Sequence, residues 1–359
     1  NAEYFSVCWI FASLNFMIGT WILYIPFIKD KLSLSDSELG IALFCLSLGI
    51  LIFLPLVPYF SKKLGIGRAT FLAVLLFSFA YSIPFLVNNF VSLCISLFMV
   101  GAFLGTTDVA MNTLVSEIEK RDSSNFMSAA HGFFSLGGVL GAGIGTILTP
   151  FFSKPIYHMM FMGLFIALTS IILRSHYYAL KENRESSKTV KNRILDFKPL
   201  FVLAFIAFII MSSEGAIEHW STLYLIDVVK IAEENLAGLG FILFSITMTI
   251  GRFFGDVVSE KLGSIKVILL GCILASFGYF AILTGKLEIA LFGFANLGLG
   301  LSVIIPELFR LAGKTKGLST SKSISFVSGV GFLGFLLGPV ILGFVSDAYG
   351  LKSSFVLLS

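Results

Sequence analysis

Predominantly apolar stretches of about twenty residues or more recur along this chain with short polar gaps, and nothing else in the sequence constrains its fold as strongly. A helix needs about 20 apolar residues to cross a hydrocarbon core about 30 Å thick. Such stretches run at 4–28, 38–60, 68–88, 90–116, 125–152, 155–174, 199–226, 235–258, 265–284, 287–308 and 322–346. Another opens at Leu351 and reaches the last residue, Ser359, so it reads as an incomplete twelfth span of a trimmed chain. The first stretch is too long, and its flanks are wrong, for a cleaved signal peptide. Of the 359 residues, 57% are hydrophobic and 13% charged, against about 25% charged in soluble domains. A soluble globule this apolar could not cover its own surface. The expectation is an all-α membrane protein of twelve transmembrane helices, which excludes a secreted disulfide scaffold, a nucleic-acid binder and a cytosolic enzyme.

The one polar segment of any length, Arg174–Lys198, divides the spans into two groups. The expected organisation is an N-terminal six-helix bundle at 1–174, a cytoplasmic central loop at 175–198 and a C-terminal bundle at 199–359. If that loop is cytoplasmic, the same side receives Lys62, Lys63, Arg68, Lys120, Arg121, Arg252, Lys261, Lys266, Arg310, Lys314, Lys316 and Lys322. The other side keeps Lys29, Lys31, Lys154, Lys230, Lys286 and Lys352. That asymmetry is the positive-inside pattern. The net charge of +4 needs no acidic partner to explain it.

The halves resemble each other at an offset near 198 residues. Ser61-Lys62-Lys63-Leu64-Gly65 matches Ser259-Glu260-Lys261-Leu262-Gly263, and Trp21 matches Trp220. Gly137-x3-Gly141 in the fifth span has its counterpart in Gly334-x3-Gly338 of the eleventh. Small residues four apart let helices approach closely in lipid. Paired six-helix halves suggest a transporter that rocks one half against the other around a midplane site.

This organisation resembles the major facilitator superfamily, whose loop after the second span carries G-x-x-x-D-R/K-x-G. The second-half copy, with Arg252, Gly255, Asp256, Glu260, Lys261 and Gly263, is the fuller one. The first-half copy keeps Lys62, Lys63 and Gly65 but has no acid. Asp108-Val-Ala-Met-Asn112, followed by Met127-Ser-Ala-Ala-His131, is similar to the proton-coupled fucose permease branch. Phe134 departs from that branch, and its first-span acid is missing, so the resemblance does not carry over a sugar. It implies an alternating-access carrier, expected to be monomeric and to sit in a bacterial inner membrane.

An ionisable side chain at the bilayer centre costs about 2.5–3.5 kcal/mol on insertion scales, which favours functional roles. Asp108 precedes Arg121 by about 20 Å of helix, near the midplane, and Asn112 lies one turn further on the same face. An acid there loses hydration and can exchange a proton near neutral pH. The plainer reading is a structural pair, with His131 as the partner. His131 is itself either a packing residue or a proton relay. In the seventh span Glu214 and Glu218 share a face, with Glu214 inside the membrane and Glu218 in the outer vestibule. Asn15 occupies the position equivalent to Glu214. Trp21 and Tyr24 form either an interfacial aromatic belt or, with Trp220, a wall that stacks on solute. Asn296 adds a possible hydrogen bond from the tenth span. These residues are expected to face one central space.

Cys8, Cys45, Cys94 and Cys272 lie in apolar runs and read as packing residues. With no phosphate-binding loop and no metal-ligand spacing, the chain is expected to use no cofactor or metal. Four functions compete. The leading one is a proton-coupled importer of a small polar solute, such as a sugar. A proton-antiporting exporter of drugs or metabolites is the alternative. Against export, the fifth span lacks the proline of the exporters' G-x-x-x-G-P-x-x-G-G signature. An intramembrane enzyme lacks a nucleophile–base pair, and a sensor lacks an appended domain.

Overall fold

A computed structural model describes residues 2–22, 24–34, 36–181, 194–231 and 239–359. Most of the expected central loop, at 182–193, lies outside the described residues. The helices are α1 (Ala2–Ile22), α2 (Ile25–Leu32), α3 (Asp36–Phe53), α4 (Val57–Leu64), α5 (Ile66–Ala80), α6 (Phe90–Asp122), α7 (Met127–Leu148) and α8 (Pro155–Leu173). They continue as α9 (Phe201–Asp227), α10 (Leu239–Leu262), α11 (Ser264–Leu283), α12 (Leu287–Leu301), α13 (Ile304–Gly313), α14 (Thr320–Tyr349) and α15 (Leu351–Leu358). Among the described residues, 11 helical stretches are long and apolar enough to cross a membrane. The short α15 opens where the twelfth span is expected. All-helical architecture follows from the solvent, because a helix satisfies its backbone polar groups within itself.

Two sequence spans are broken. The second divides into α3 and α4 across a short 3-10 turn holding Pro55, and the tenth divides into α12 and α13 at Ser302–Val303. Gly65 and Gly263 sit at the repeated positions after α4 and α10, with φ of 87° and 81°. Only glycine adopts that backbone without strain, so the repeated glycines fix the same sharp reversal in both places.

The chain forms two compact units. The first comprises Asn1–Phe126, Phe133–Phe197 and Gly313–Phe326; the second comprises Met127–Gly132, Lys198–Ala312 and Val327–Ser359. The change near residue 197 falls at the end of the expected central loop. Two short segments, the start of α7 and the stretch running into α14, group with the unit opposite to the remainder of their helices.

In the first unit, α7 lies directly on α1. A Cβ on Gly137 would stand 2.0 Å from the Ala12 carbonyl oxygen, and one on Gly141 would stand 2.1 Å from that of Phe16. Thr20 Oγ1 donates to the Gly141 carbonyl at 3.1 Å. The second unit repeats the arrangement with α14 on α9. A Cβ on Gly334 would stand 2.2 Å from the Phe208 carbonyl oxygen, and Ser212 Oγ donates to the Gly334 carbonyl at 2.9 Å. Backbone-to-backbone packing through small residues replaces the hydrophobic drive that lipid cannot supply.

Candidate functional site

In the first unit, Asp108 is half-buried near the middle of α6, and Asn112 is fully buried one turn later. The Asn112 amide donates to the Asp108 carbonyl oxygen at 2.9 Å and to its carboxylate Oδ1 at 3.4 Å. The i, i+4 spacing thus orients the acid from its own helix. Asn15 lies on α1, where its amide donates to the Phe134 carbonyl at 3.0 Å and packs over Gly138. Phe134, the residue that departs from the fucose permease pattern, contributes its backbone oxygen to this bond.

Trp21 and Tyr24 require a correction. Both are buried, at 4% and 5% exposure, so they form neither a lipid-facing belt nor an open stacking wall. Trp21 packs on Tyr81 with ring centroids 5.5 Å apart and meets Phe85 edge-on at 5.7 Å. The Tyr24 hydroxyl bonds His158 Nδ1 at 2.6 Å, while Phe152 stacks on the His158 ring at 4.8 Å. The residues following α5 and preceding α8 close over these rings. A reading of the first span alone could not register that cover.

In the second unit, Glu214 of α9 faces Arg252 of α10, with carboxylate and guanidinium 3.6 Å apart. Arg252, expected as part of the cytoplasmic loop motif, is buried within α10, a helix long and apolar enough to cross a membrane. Glu218 is exposed at the end of the same span. Trp220 rests against Gly343, and its indole nitrogen makes no hydrogen bond among the described residues. Asn296 is half-buried on α12. His131 is buried in the second unit, with its ring 6.0 Å from that of Phe309.

The loop motif has two parts. Lys62, Lys63, Glu260 and Lys261 are exposed, whereas Gly255 and Asp256 are buried. Asp256 accepts from the backbone N–H groups of Ser128 at 3.1 Å and Ala129 at 2.6 Å, in the first turn of α7. It also pairs with Arg310 at 2.6 Å. Arg310 in turn pairs with Glu307, which accepts from Ser259. A helix N-terminus presents unsatisfied N–H groups and partial positive charge, both suited to a carboxylate. Gly255 is required beside it, since a Cβ there would stand 2.9 Å from that of Ser128.

The first unit holds the start of α14 comparably. Glu117 accepts from Thr320, and Lys120 bonds both Glu117 and Thr320. Glu117-x-x-Lys120 and Glu307-x-x-Arg310 share their acid-then-base spacing at the ends of the fourth and tenth spans. That repeated spacing was the available signal for Glu117, Lys120, Glu307 and Arg310. Arg310, counted above with the basic residues of the cytoplasmic side, is 1% exposed within α13.

Apolar helices of membrane-spanning length, carrying a few ionisable side chains, define an integral multi-pass membrane protein. The chain belongs to the Major Facilitator Superfamily, whose family model matches residues 5–315 and 231–359, and it is thus a transporter rather than an enzyme. It is 31% identical to membrane protein MosC of Rhizobium meliloti, over 93% of this chain and 81% of MosC. It is 25% identical to multidrug resistance protein 1 of Bacillus subtilis, over 92% of this chain and 86% of that protein. Its fold is similar to the solved structure of the transporter FucP in the outward conformation, with a TM-score of 0.81 at 17% identity over 100% of this chain and 96% of that one. Another structure, titled the E. coli fucose:proton symporter FucP, gives 0.77 at 16% identity over 99% and 94%.

Proposed function

We propose that this protein is a secondary active transporter that imports a small polar solute with protons by alternating access. The observation that carries the reading is Asp108, a half-buried carboxylate inside an apolar membrane-spanning helix and oriented by Asn112. An acid is costly inside the membrane, which favours a functional role for this one. Loading and releasing one proton there couples solute movement to the proton gradient. Asn112 and Asn15 bind solute in the first unit, and Glu214 and Asn296 do so in the second. Glu218 and Trp220 stand toward the outer end, and His131 relays protons. The Asp256–Arg310–Glu307 cluster acts as a gate that releases the start of α7 during the cycle. The name of the fold neighbour FucP supports a sugar-like solute and symport. Bacterial relatives support placement in a bacterial inner membrane, and the protein works as a monomer.

A second reading, proton-driven export of drugs or metabolites, rests on the likeness to multidrug resistance protein 1 across nearly the whole chain. Proteoliposomes with an imposed pH gradient separate the two. Import predicts that labelled sugars accumulate inside when the outside is acidic. Export predicts no accumulation of sugars and gradient-dependent movement of lipophilic dyes instead.

A further inference from the structure

The basic residues of the first unit differ in what holds them. Arg121 is paired with Glu3 and Asp122, and Lys120 with Glu117. Arg68, near the start of α5, and Arg174, at the end of α8, make no side-chain ion pair or hydrogen bond among the described residues, and aromatic rings hold them instead. The guanidinium carbon of Arg68 stands 5.4 Å from the centre of the Tyr178 ring. That of Arg174 stands 5.9 Å from the same centre and 5.3 Å from the centre of the Phe71 ring. The two rings meet edge-on at 5.6 Å. Backbone contacts set this arrangement. The Gly67 N–H donates to the Leu180 carbonyl at 3.0 Å, and a Cβ on Gly67 would stand 2.0 Å from the Tyr177 carbonyl oxygen. Glycine at that position lets the segment after α8 fold onto the start of α5.

Both arginines and Tyr178 are exposed. Arg68 lies near the start of the candidate span Ile66–Phe85, and Arg174 near the end of Pro155–His176, so the pair sits where a helix leaves the hydrocarbon for the headgroups. Stacking on a ring fixes a guanidinium without consuming its N–H donors. Two like charges beside one ring repel each other, and an anion between them relieves that repulsion. More positive charge flanks them: Lys62 and Lys63 end α4 just before Gly65, and Lys181 Cγ is 3.6 Å from where a Cβ on Gly65 would stand. We propose that Arg68 and Arg174 bind the phosphate of an anionic phospholipid headgroup, with Tyr178 as the platform for both guanidiniums. Their forked donors match phosphate oxygens, and basic clusters at the ends of spans attract anionic lipids. Leu72 and Ile171, each about one turn from its arginine along α5 and α8, are exposed and offer the acyl chains an apolar surface. That continuity of charge with apolar surface favours a lipid over a free phosphate ion, and the site is independent of which solute is carried.

Thermal unfolding of the full chain in phosphatidylcholine vesicles, with and without added phosphatidylglycerol, tests the site. Phosphatidylglycerol should raise the parent's Tm saturably, on the order of 3 °C. Combining Arg68→Gln with Arg174→Gln should cut that rise by more than half. Combining Lys266→Gln with Lys316→Gln, which removes two exposed positive charges elsewhere, should leave it intact. Tyr178→Phe keeps the platform and should respond as the parent does, whereas Tyr178→Leu should respond as the arginine variant does. Inorganic phosphate added to phosphatidylcholine vesicles should not reproduce the rise. An equal phosphatidylglycerol response in the parent, the arginine variant and the lysine variant would reduce the effect to bulk surface charge and overturn the proposal. So would an arginine variant that melts lower by the same amount in both lipids, which would assign the arginines to packing within the chain. A full rise with inorganic phosphate alone would overturn the lipid as occupant. If the arginine variant does not fold, the Tyr178 pair decides, since equal responses of Tyr178→Phe and Tyr178→Leu would refute the platform and the site with it.

Discussion

Replacing Asp256 with alanine should destabilise the protein more than any other single change in its loop motif. The carboxylate accepts from two backbone N–H groups at 3.1 and 2.6 Å and pairs with Arg310 at 2.6 Å, all in a buried setting. Leaving a buried donor unsatisfied costs about 1–3 kcal/mol, and removing one partner of a buried ion pair costs about 3–5 kcal/mol. These overlap, and Glu307 still neutralises part of the Arg310 charge, so the net loss should be about 3–4 kcal/mol. At about 2–4 °C per kcal/mol, the apparent Tm falls by roughly 6–16 °C. Asp256→Asn retains one acceptor oxygen but not the charge, and should fall about halfway. Glu260, an exposed acid on the same helix, serves as the control, and its alanine variant should stay within about 0.5 kcal/mol of the parent. A thiol-reactive fluorophore reads unfolding through Cys8, which is buried in the fold. All variants are heated at one scan rate, because unfolding of such proteins is commonly irreversible. If Asp256→Ala melts with the parent and with Glu260→Ala, the carboxylate does not hold the start of α7.

Gly141→Ala should cost about 1–3 kcal/mol by forcing α7 off α1, whereas Gly143→Ala, whose Cβ meets nothing within 4 Å, should be neutral or gain up to about 1 kcal/mol from helix propensity; paired melting curves compare them. Tyr24→Phe keeps the ring but strips His158 of the 2.6 Å bond to Nδ1, and should lower stability by about 1–3 kcal/mol in the same assay. Single cysteines replacing Lys181 and Lys230, both exposed, should react with a membrane-impermeant maleimide from opposite sides of the membrane. Labelling of both from one side would refute the orientation.

How far the sequence could be read depended on whether a feature was local or made by contact. Apolar length and the two Gly-x3-Gly stripes are local, and the structure uses each stripe for a backbone contact with a first helix of its group, at Ala12 and at Phe208. Asp108 and Asn112 lie one helical turn apart, so spacing alone put them on one face, and the structure adds the bond between them. Arg252 reads by position as part of a loop motif, while its approach to Glu214 on the preceding helix comes from packing between spans. Trp21 and Tyr24 look like interfacial aromatics by position, and only Tyr81, Phe85 and His158 bury them. Polar residues reveal their chemistry from sequence when the partner is a few residues distant, and conceal it when the partner comes from another span.

Uptake by an Asp108→Asn protein, measured beside the parent in the same proteoliposomes, tests the central claim most directly. Asparagine matches aspartate in size and cannot exchange a proton at any relevant pH, so it separates binding from coupling. Solute exchange across the membrane without a gradient should persist, while accumulation driven by a pH gradient should disappear. Accumulation at the parent's rate would show that Asp108 does not couple transport to protons. Equal loss of exchange and accumulation, with a lowered Tm, would instead assign Asp108 a structural role.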